Sequence, residues 1–273
     1  MMIKIARAKE QLVEGPWLIT HEAYTTLSHL LDSRIEAGDL HLGVGEEDAV
    51  SSGIGIVKIH GTMMRGVSPA MEKLFGLVDT SRVRETILSM GADPSVKGIL
   101  LDIDSPGGSA TGVEECADAV REVREYKKVI ASCEGMMASA AYWVGSQARM
   151  VVASNSAKVG SIGVYLPVID SSEAYKAEGI KVDLIKNKEA TYKGAGFDGT
   201  SLTDEQREHM QEMVQEIYEE FSGAVKRARN GVEQAAMRGQ VFSGKKARAN
   251  GLVDLTGSYE DALALLKYEC RIT

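Results

Sequence analysis

The stretch Val96-Lys97-Gly98-Ile99-Leu100-Leu101-Asp102-Ile103-Asp104 is apolar through its middle and ends in acids. A short apolar run of this kind reads as a strand buried on both faces. Ser105-Pro106-Gly107-Gly108-Ser109 follows as a turn. Residues 112–126 then carry Val113, Cys116, Ala117, Val120 and Val123 at helical spacing, and residues 128–133 form another apolar strand. Strand, short turn, helix and strand make a unit that closes as a parallel pair. The alternation extends both ways. Upstream, residues 54–59 read as a strand and residues 80–90 as a helix broken by Asp93-Pro94. Downstream, residues 150–153 read as a strand running on to 159–165, residues 172–178 as a helix and 182–185 as a strand. Thr203-Asp204-Glu205-Gln206 is a capping box. Beyond it Met210, Met213, Val214, Ile217, Tyr218, Phe221 and Val225 form an apolar helical stripe. The expected class is α/β with a mostly parallel sheet and a helical C-terminal part.

The N-terminal end reads differently. Residues 16–38 look helical, with Thr20 as cap, Glu22 in the first turn, and Tyr24, Leu27, Leu30, Leu31 and Ile35 at helical spacing. Residues 38–53 are rich in Gly and acids and read as a linker. The division expected is therefore a helical arm and linker over 1–52 and one domain over 53–273. The 273 residues carry a formal charge of −8 with no basic stretch, which argues against nucleic acid as the main partner. Cys116, Cys133 and Cys270 are an odd set without CxxC spacing, which fits a reducing compartment. No stretch resembles a signal peptide or approaches the ~18 apolar residues of a membrane span. A soluble, cytoplasmic protein is expected. Asp102, Asp104, Glu114 and Glu115 have no metal-ligand spacing, and no phosphate-loop motif is present, so neither metal nor cofactor is expected. Met63, Met64, Met136 and Met137 read first as core filler and second as the lining of an apolar groove.

Chemistry centres on Gly135-Met136-Met137-Ala138-Ser139-Ala140-Ala141-Tyr142-Trp143, which passes from strand into helix. Ser139 falls on the first helical turn, where N–H groups are unpaired. It reads equally as a cap and as a nucleophile. Of the histidines, His21, His29 and His41 lie in the arm and His209 in the long helix, facing solvent. His60 ends a strand; a structural role is its leading reading, and a Ser-His-Asp triad fits poorly. A lysine serves as base only where its charged form is destabilised. Lys193, in Ala190-Thr191-Tyr192-Lys193-Gly194-Ala195-Gly196, has small uncharged neighbours; a solvated loop lysine is the plainer reading. Ser105-Pro106-Gly107-Gly108 can aim backbone N–H groups at an oxyanion, or be an ordinary turn.

Four pieces stand in one order: Asp104-Ser105-Pro106-Gly107-Gly108, Met137-Ala138-Ser139-Ala140-Ala141-Tyr142, Gly160-Ser161-Ile162-Gly163-Val164, and Tyr192-Lys193. Downstream come Gly239-Gln240-Val241-Phe242-Ser243-Gly244-Lys245-Lys246-Ala247 and Gly251-Leu252-Val253-Asp254. The set resembles the signal peptide peptidase A family of Ser/Lys peptidases, with its ClpP/crotonase-type fold of repeated β-β-α and βαβ units. Within that family it resembles the branch of phage prohead and capsid-maturation proteases. The resemblance spans residues 54–266. It implies Ser139 as nucleophile, Lys193 as general base, the N–H groups of Gly108 and Ala140 as oxyanion hole with Gly107 in support, and Ser161 as hydrogen-bond partner of the lysine. It further implies a homo-oligomeric ring, a lysine that can come from a neighbouring subunit, and a capsid or scaffold polypeptide, or peptides, as substrate. The location then expected is host cytoplasm or procapsid interior. Family members commonly show Ala-Ser-Gly-Gly-Tyr where this chain has Ala138-Ser139-Ala140-Ala141-Tyr142, a change of small for small. Three rivals stand beside this reading. One is a housekeeping signal-peptide or peptide-degrading peptidase without a membrane anchor. Another is a non-catalytic ring-forming assembly protein. The third is a crotonase-type acyl-CoA enzyme.

Overall fold

The computed structural model describes residues 15–37 and 48–272. The start of the arm and residues 38–47 of the linker expected over 38–53 lie outside the described residues; the end of that linker is not loop, since Ala49–Ser51 pairs as a strand with residues 54–56. The central sheet has six strands: β2 (Ala49–Ser51), β3 (Ile54–His60), β6 (Gly98–Asp104), β8 (Lys128–Cys133), β10 (Met150–Ala153) and β13 (Leu255–Thr256). Their spatial order is β13-β10-β8-β6-β3-β2, and every pair is parallel except β2 with β3. Between the strands run α3 (Thr80–Ala92), α4 (Val113–Val123) and α5 (Ala140–Ser146). Side chains alternate across a strand. Ile99, Leu101 and Ile103 therefore join the core that holds Val83, Ile87, Val120 and Val144, while Leu100 turns to the opposite face. There it meets Ile130, Val152, Ala262 and Leu266, the last two from α9 (Tyr259–Glu269). Apolar layers on both faces explain why β6 and β8 are apolar through Ile99–Leu101 and Val129–Ala131.

Two smaller sheets grow from the ends of these strands. β7 (Gly107–Ser109) continues from β6 and joins β4 (Thr62–Met64), β5 (Leu77–Asp79) and β1 (Trp17–Ile19) in the order β1-β7-β4-β5. β9 (Met136–Ala138) continues from β8 and joins β11 (Lys158–Gly160) and β12 (Val241–Ser243) in the order β12-β11-β9. Ser105 keeps the two continuations together: its N–H donates to the Met136 oxygen at 2.7 Å, and its own oxygen accepts from Ala138 at 3.1 Å. The remaining helices are α1 (His21–Ala37), α2 (Pro69–Phe75), α6 (Ser172–Ala177), α7 (Asp204–Ala228) and α8 (Gly244–Ala249).

The α/β class with its mostly parallel sheet is observed, as are the strands at 54, 98, 128 and 150 and the Thr203–Gln206 capping box. Four local readings are corrected. Residues 17–19 are a strand: their backbone pairs with β7, Trp17 and Ile19 are buried against α2, Leu18 enters the main core, and Thr20 starts the helix behind them. Residues 182–185 form no strand; they lie in an exposed segment with no neighbouring edge to pair with. Residues 136–138 are a strand before Ser139, so the serine sits at a strand end and not within a helix. Residues 62–79, passed over in the sequence, hold β4, α2 and β5.

Arg229, at the end of α7, ties the helix after Ser139 to the C-terminal part. Its side chain is 3% exposed, donates from Nε to the Ser146 oxygen at 2.9 Å and from Nη2 to the Ala148 oxygen, and pairs through Nη1 with Asp254. Asp254 in turn accepts the Val151 N–H at 2.7 Å. Removing the guanidinium leaves two carbonyls and part of a carboxylate unsatisfied. Arg229→Met is expected to lower the unfolding free energy by about 3 kcal/mol, measured as a lower urea midpoint at unchanged slope.

Candidate active site

Ser139 joins β9 to α5 with φ 56° and ψ −120°. A residue with a Cβ adopts such a conformation at a cost on the order of 1–3 kcal/mol, and only where its surroundings enforce it. Here they do. The Ser139 N–H donates to the Gly160 oxygen at 2.8 Å, and the Ser139 oxygen accepts from Trp143 at 2.9 Å. Behind it, α5 is fully packed. Tyr142 is buried and donates its hydroxyl to the Leu252 oxygen at 2.8 Å, and Trp143 stacks on Phe221 with centroids 4.9 Å apart. Burial pushes the Tyr142 hydroxyl pKa up. These two rings anchor the helix, the role their sequence setting suggested.

The Ser139 side chain is buried, and its Oγ has no hydrogen-bond partner. It is not a cap: its hydroxyl makes no bond to the first turn of α5. Ala140, the next residue, is the first of a helix and has no intrahelical acceptor for its N–H. Facing it are Gly107 and Gly108. Gly107 has φ 100°, and a Cβ built on it would stand 2.9 Å from the Ser139 Cβ and 2.0 Å from the Leu18 oxygen. A Cβ on Gly108 would stand 1.8 Å from the Met63 oxygen. Both positions require glycine, one for its φ and both for close approach. The Gly107 N–H donates to the Ser105 Oγ at 3.2 Å. Asp104 accepts the Met136 N–H at 2.9 Å and so fixes the entry to β9.

The structure thus brings Ser139, Ala140, Gly107 and Gly108 together. It does not bring Lys193 to the serine within one chain. Lys193 is exposed, in the segment between Val164 and Asp204, and the unpartnered Ser139 Oγ lies beyond hydrogen-bond distance of it. Ser161 is nearly buried with φ 53°, its N–H bonded to the Gln240 oxygen at 2.7 Å. It lines an open cleft of about 940 Å³ with Met136, Tyr165, Tyr218 and Phe242. Met63, Met64 and Met137 are core residues, and Met136 lines the cleft, as does Met237. His60 turns to Asp102, with Nε2 3.1 Å from the carboxylate. Burial pushes the thiols of Cys116, to about 12, and Cys133 upward, which leaves them inert. Among the described residues no group of side chains could hold a metal ion, and no helix is long and apolar enough to cross a membrane.

Sequence reading missed the positive φ at Ser139 and Ser161, and it missed Tyr165. Tyr165 exchanges both backbone hydrogen bonds with Trp17, at 2.8 and 3.1 Å. Its hydroxyl is buried without a partner, and burial pushes its pKa up to about 12. The small-residue run from Gly160 to Gly163 was the available signal: a chain that must pass close to another backbone needs such residues.

The sequence model of the family described as Peptidase family S49 matches residues 121–273. The chain is similar to a protein of Methanocaldococcus jannaschii, with 37% identity over 64% of this chain and 57% of that one. It is similar to Capsid assembly protease C of Escherichia phage lambda, with 28% identity over 93% of this chain and 56% of that one. It is similar to Protease 4 of Salmonella typhi, with 31% identity over 77% of this chain and 34% of that one. The chain therefore spans little more than half, or about a third, of these relatives' lengths. Among solved structures, an enoyl-CoA hydratase from Polaromonas sp. JS666 superposes with a TM-score of 0.46 and 15% identity, covering 82% of this chain and 75% of that one.

An unpartnered buried hydroxyl destabilises the fold that holds it. Ser139→Ala is expected to raise the unfolding free energy by about 1 kcal/mol. Gly107→Ala is expected to lower it by more than about 2 kcal/mol. Urea titration measures both, and a Ser139→Ala protein no more stable than the parent would show that the hydroxyl is satisfied.

Proposed function

The chain belongs to peptidase family S49, and from that premise we propose that it is a serine endopeptidase working through a Ser139–Lys193 dyad. The observation that carries the proposal is the Ser139 hydroxyl: buried, unpartnered, on a strained turn, and facing two glycines that could not be any other residue. Neutral Lys193 takes the Ser139 proton as Oγ attacks a peptide carbonyl. The N–H groups of Gly108 and Ala140 stabilise the oxyanion. The protonated lysine then gives its proton to the leaving amine, and water activated in the same way releases the acyl group from Ser139. Ser161, on the cleft wall, is the residue proposed to hold the lysine.

The lysine is proposed to come from a neighbouring copy. The segment that carries Lys193 exposes Val168, Ile169, Ile180, Ile185 and Phe197, with Ile185 99% exposed. Covering five such side chains is worth on the order of 10 kcal/mol, comparable to the loss of freedom on association. A homo-oligomeric ring is the assembly proposed. For the substrate, a capsid or scaffold polypeptide is favoured. The alignment with the lambda protease covers 257 residues, more than residues 53–273 contain, so the likeness reaches into the N-terminal segment. The cytoplasm or the procapsid interior is the corresponding location. A housekeeping peptidase of the signal-peptide type is the second reading, on the likeness to Protease 4.

Ser139→Ala and Lys193→Ala are each expected to lower kcat/KM on a capsid scaffold polypeptide by on the order of a thousandfold or more. Mixing the two inactive proteins under subunit exchange is expected to restore measurable cleavage. Undiminished cleavage by Ser139→Ala excludes the dyad, and a mixture that stays silent after exchange excludes sharing of the lysine.

A further inference from the structure

The strand β1 lies where the groove beside Ser139 should be open. It is held on two sides. On one side the Ala110 N–H donates to the Pro16 oxygen at 3.1 Å, and the Thr20 N–H to the Pro106 oxygen at 3.1 Å. Hydrogen-bonded pairs alternate by two along an antiparallel ladder, so Leu18 and Gly108, register partners between those two bonds, form the pair in the middle. The Gly108 N–H is thus aimed at the Leu18 oxygen. On the other side Trp17 exchanges both its backbone bonds with Tyr165. The Leu18 oxygen and the Ser139 Cβ flank one point, the place where a Gly107 Cβ would stand. The Leu18 side chain is fully buried in the same core as Met137 and Ala140. From Ile19 the chain runs along the open cleft, which Ile19, Thr20, His21 and Glu22 line together with Ser161.

Ser139 is 1% exposed. A nucleophile so covered meets no substrate until its cover moves. We propose that β1 occupies the acyl side of the substrate groove in the manner of a substrate. The groove then takes an extended polypeptide, antiparallel to β7, with a large aliphatic side chain at the residue whose carbonyl faces Ser139. A foreign polypeptide enters once β1 has left. The inference rests on the reading of Ser139 as a peptidase nucleophile. What β1 vacates is a pair of backbone edges, from Gly108 to Ala110 and at Tyr165, spaced to receive one strand, which is how extended peptides add to sheets. The Leu18 site is apolar and closed, so it discriminates against a charged side chain. The occupant is stable in a single chain because no base reaches Ser139 there.

The test locks and releases β1 in the full chain. Trp17 and Ser109 are register partners between hydrogen-bonded pairs, and such facing residues have Cα atoms about 4.5 Å apart, within disulfide reach. In the Trp17→Cys/Ser109→Cys protein, capture of Ser139 by acetyl-Pro-Trp-leucinal is expected to be at least about tenfold slower oxidised than reduced. In the reduced protein the leucinal is expected to outpace acetyl-Pro-Trp-aspartal by at least about tenfold, each tenfold being 1.4 kcal/mol. Equal rates in the two redox states, with the disulfide verified by mass, overturn the occupancy of the groove. Equal rates for the two aldehydes overturn the substrate class. A fluorophosphonate that fails to label Ser139 in the reduced protein overturns the peptidase reading and this inference with it, whereas labelling without any redox effect overturns the inference alone. Should the double variant not fold, the wild type serves: saturating leucinal is expected to expose the amides of residues 17–20 to hydrogen exchange, and retained protection with Ser139 modified overturns the proposal.

Discussion

The turn at Ser139 holds a residue in a conformation it would not choose, and much of the surrounding structure can be understood as what keeps it there. On the strand side, β9 is paired to β11 and bridged to Ser105, so Ala138 cannot rotate. On the helix side, Tyr142, Trp143 and Arg229 fix the whole of the short α5 to the C-terminal part of the chain. With both ends pinned, the strain stays at the one residue between them. A serine whose backbone is over-determined has its Oγ aimed by the fold and not by a hydrogen bond. That is the condition under which a hydroxyl can remain unpartnered while buried, and it places the free energy of the site in the packing behind it.

The same division explains what could be read from the sequence. β6, β8, α4 and the capping box of α7 were legible because their burial is set by local pattern: two apolar faces, a 3.6-residue stripe, a cap three residues before its glutamine. Ser139, Gly107 and Gly108 were legible as candidates because small residues clustered after strands. Their geometry was not, since a positive φ at serine arises from contacts with Gly160 and α5 that no local pattern encodes. Trp17, Leu18 and Ile19 were misread as the start of a helix for a related reason. Three consecutive apolar residues before a capping threonine fit a helix entry equally well, and their strand conformation comes from β7 and Tyr165, roughly 90 and 150 positions away.

β7 is a short strand with an unusual number of demands on it. Its middle residue is pressed against the Met63 backbone on one side and paired with Leu18 on the other, and its first residue crowds Ser139. Its first two positions leave no room for side chains, which accounts for Gly107-Gly108 more fully than turn formation does. It also cannot present its free edge to solvent without cost, since buried N–H groups need acceptors. Some strand must cover it, either the chain's own or another's. The N–H of Gly108 serves the covering strand and, in the proposed reaction, the oxyanion, because the carbonyl of a bound strand and the carbonyl under attack are the same group.

The position of Lys193 follows from a similar argument about edges and faces. A lysine kept beside the buried Ser139 in the isolated chain would be a charge taken out of water, a costly arrangement. Carried on an exposed segment, it is solvated in the single chain. In the proposed assembly, exposed apolar side chains of the same segment, Ile169, Ile185 and Phe197 among them, would supply the association energy that a buried lysine requires. On the proposed reading, desolvation of the base is coupled to subunit contact. An isolated subunit would then have its nucleophile covered by β1 and its base in water, two independent reasons for silence. On that reading, the arrangement is a physical means of confining hydrolysis to the assembled state.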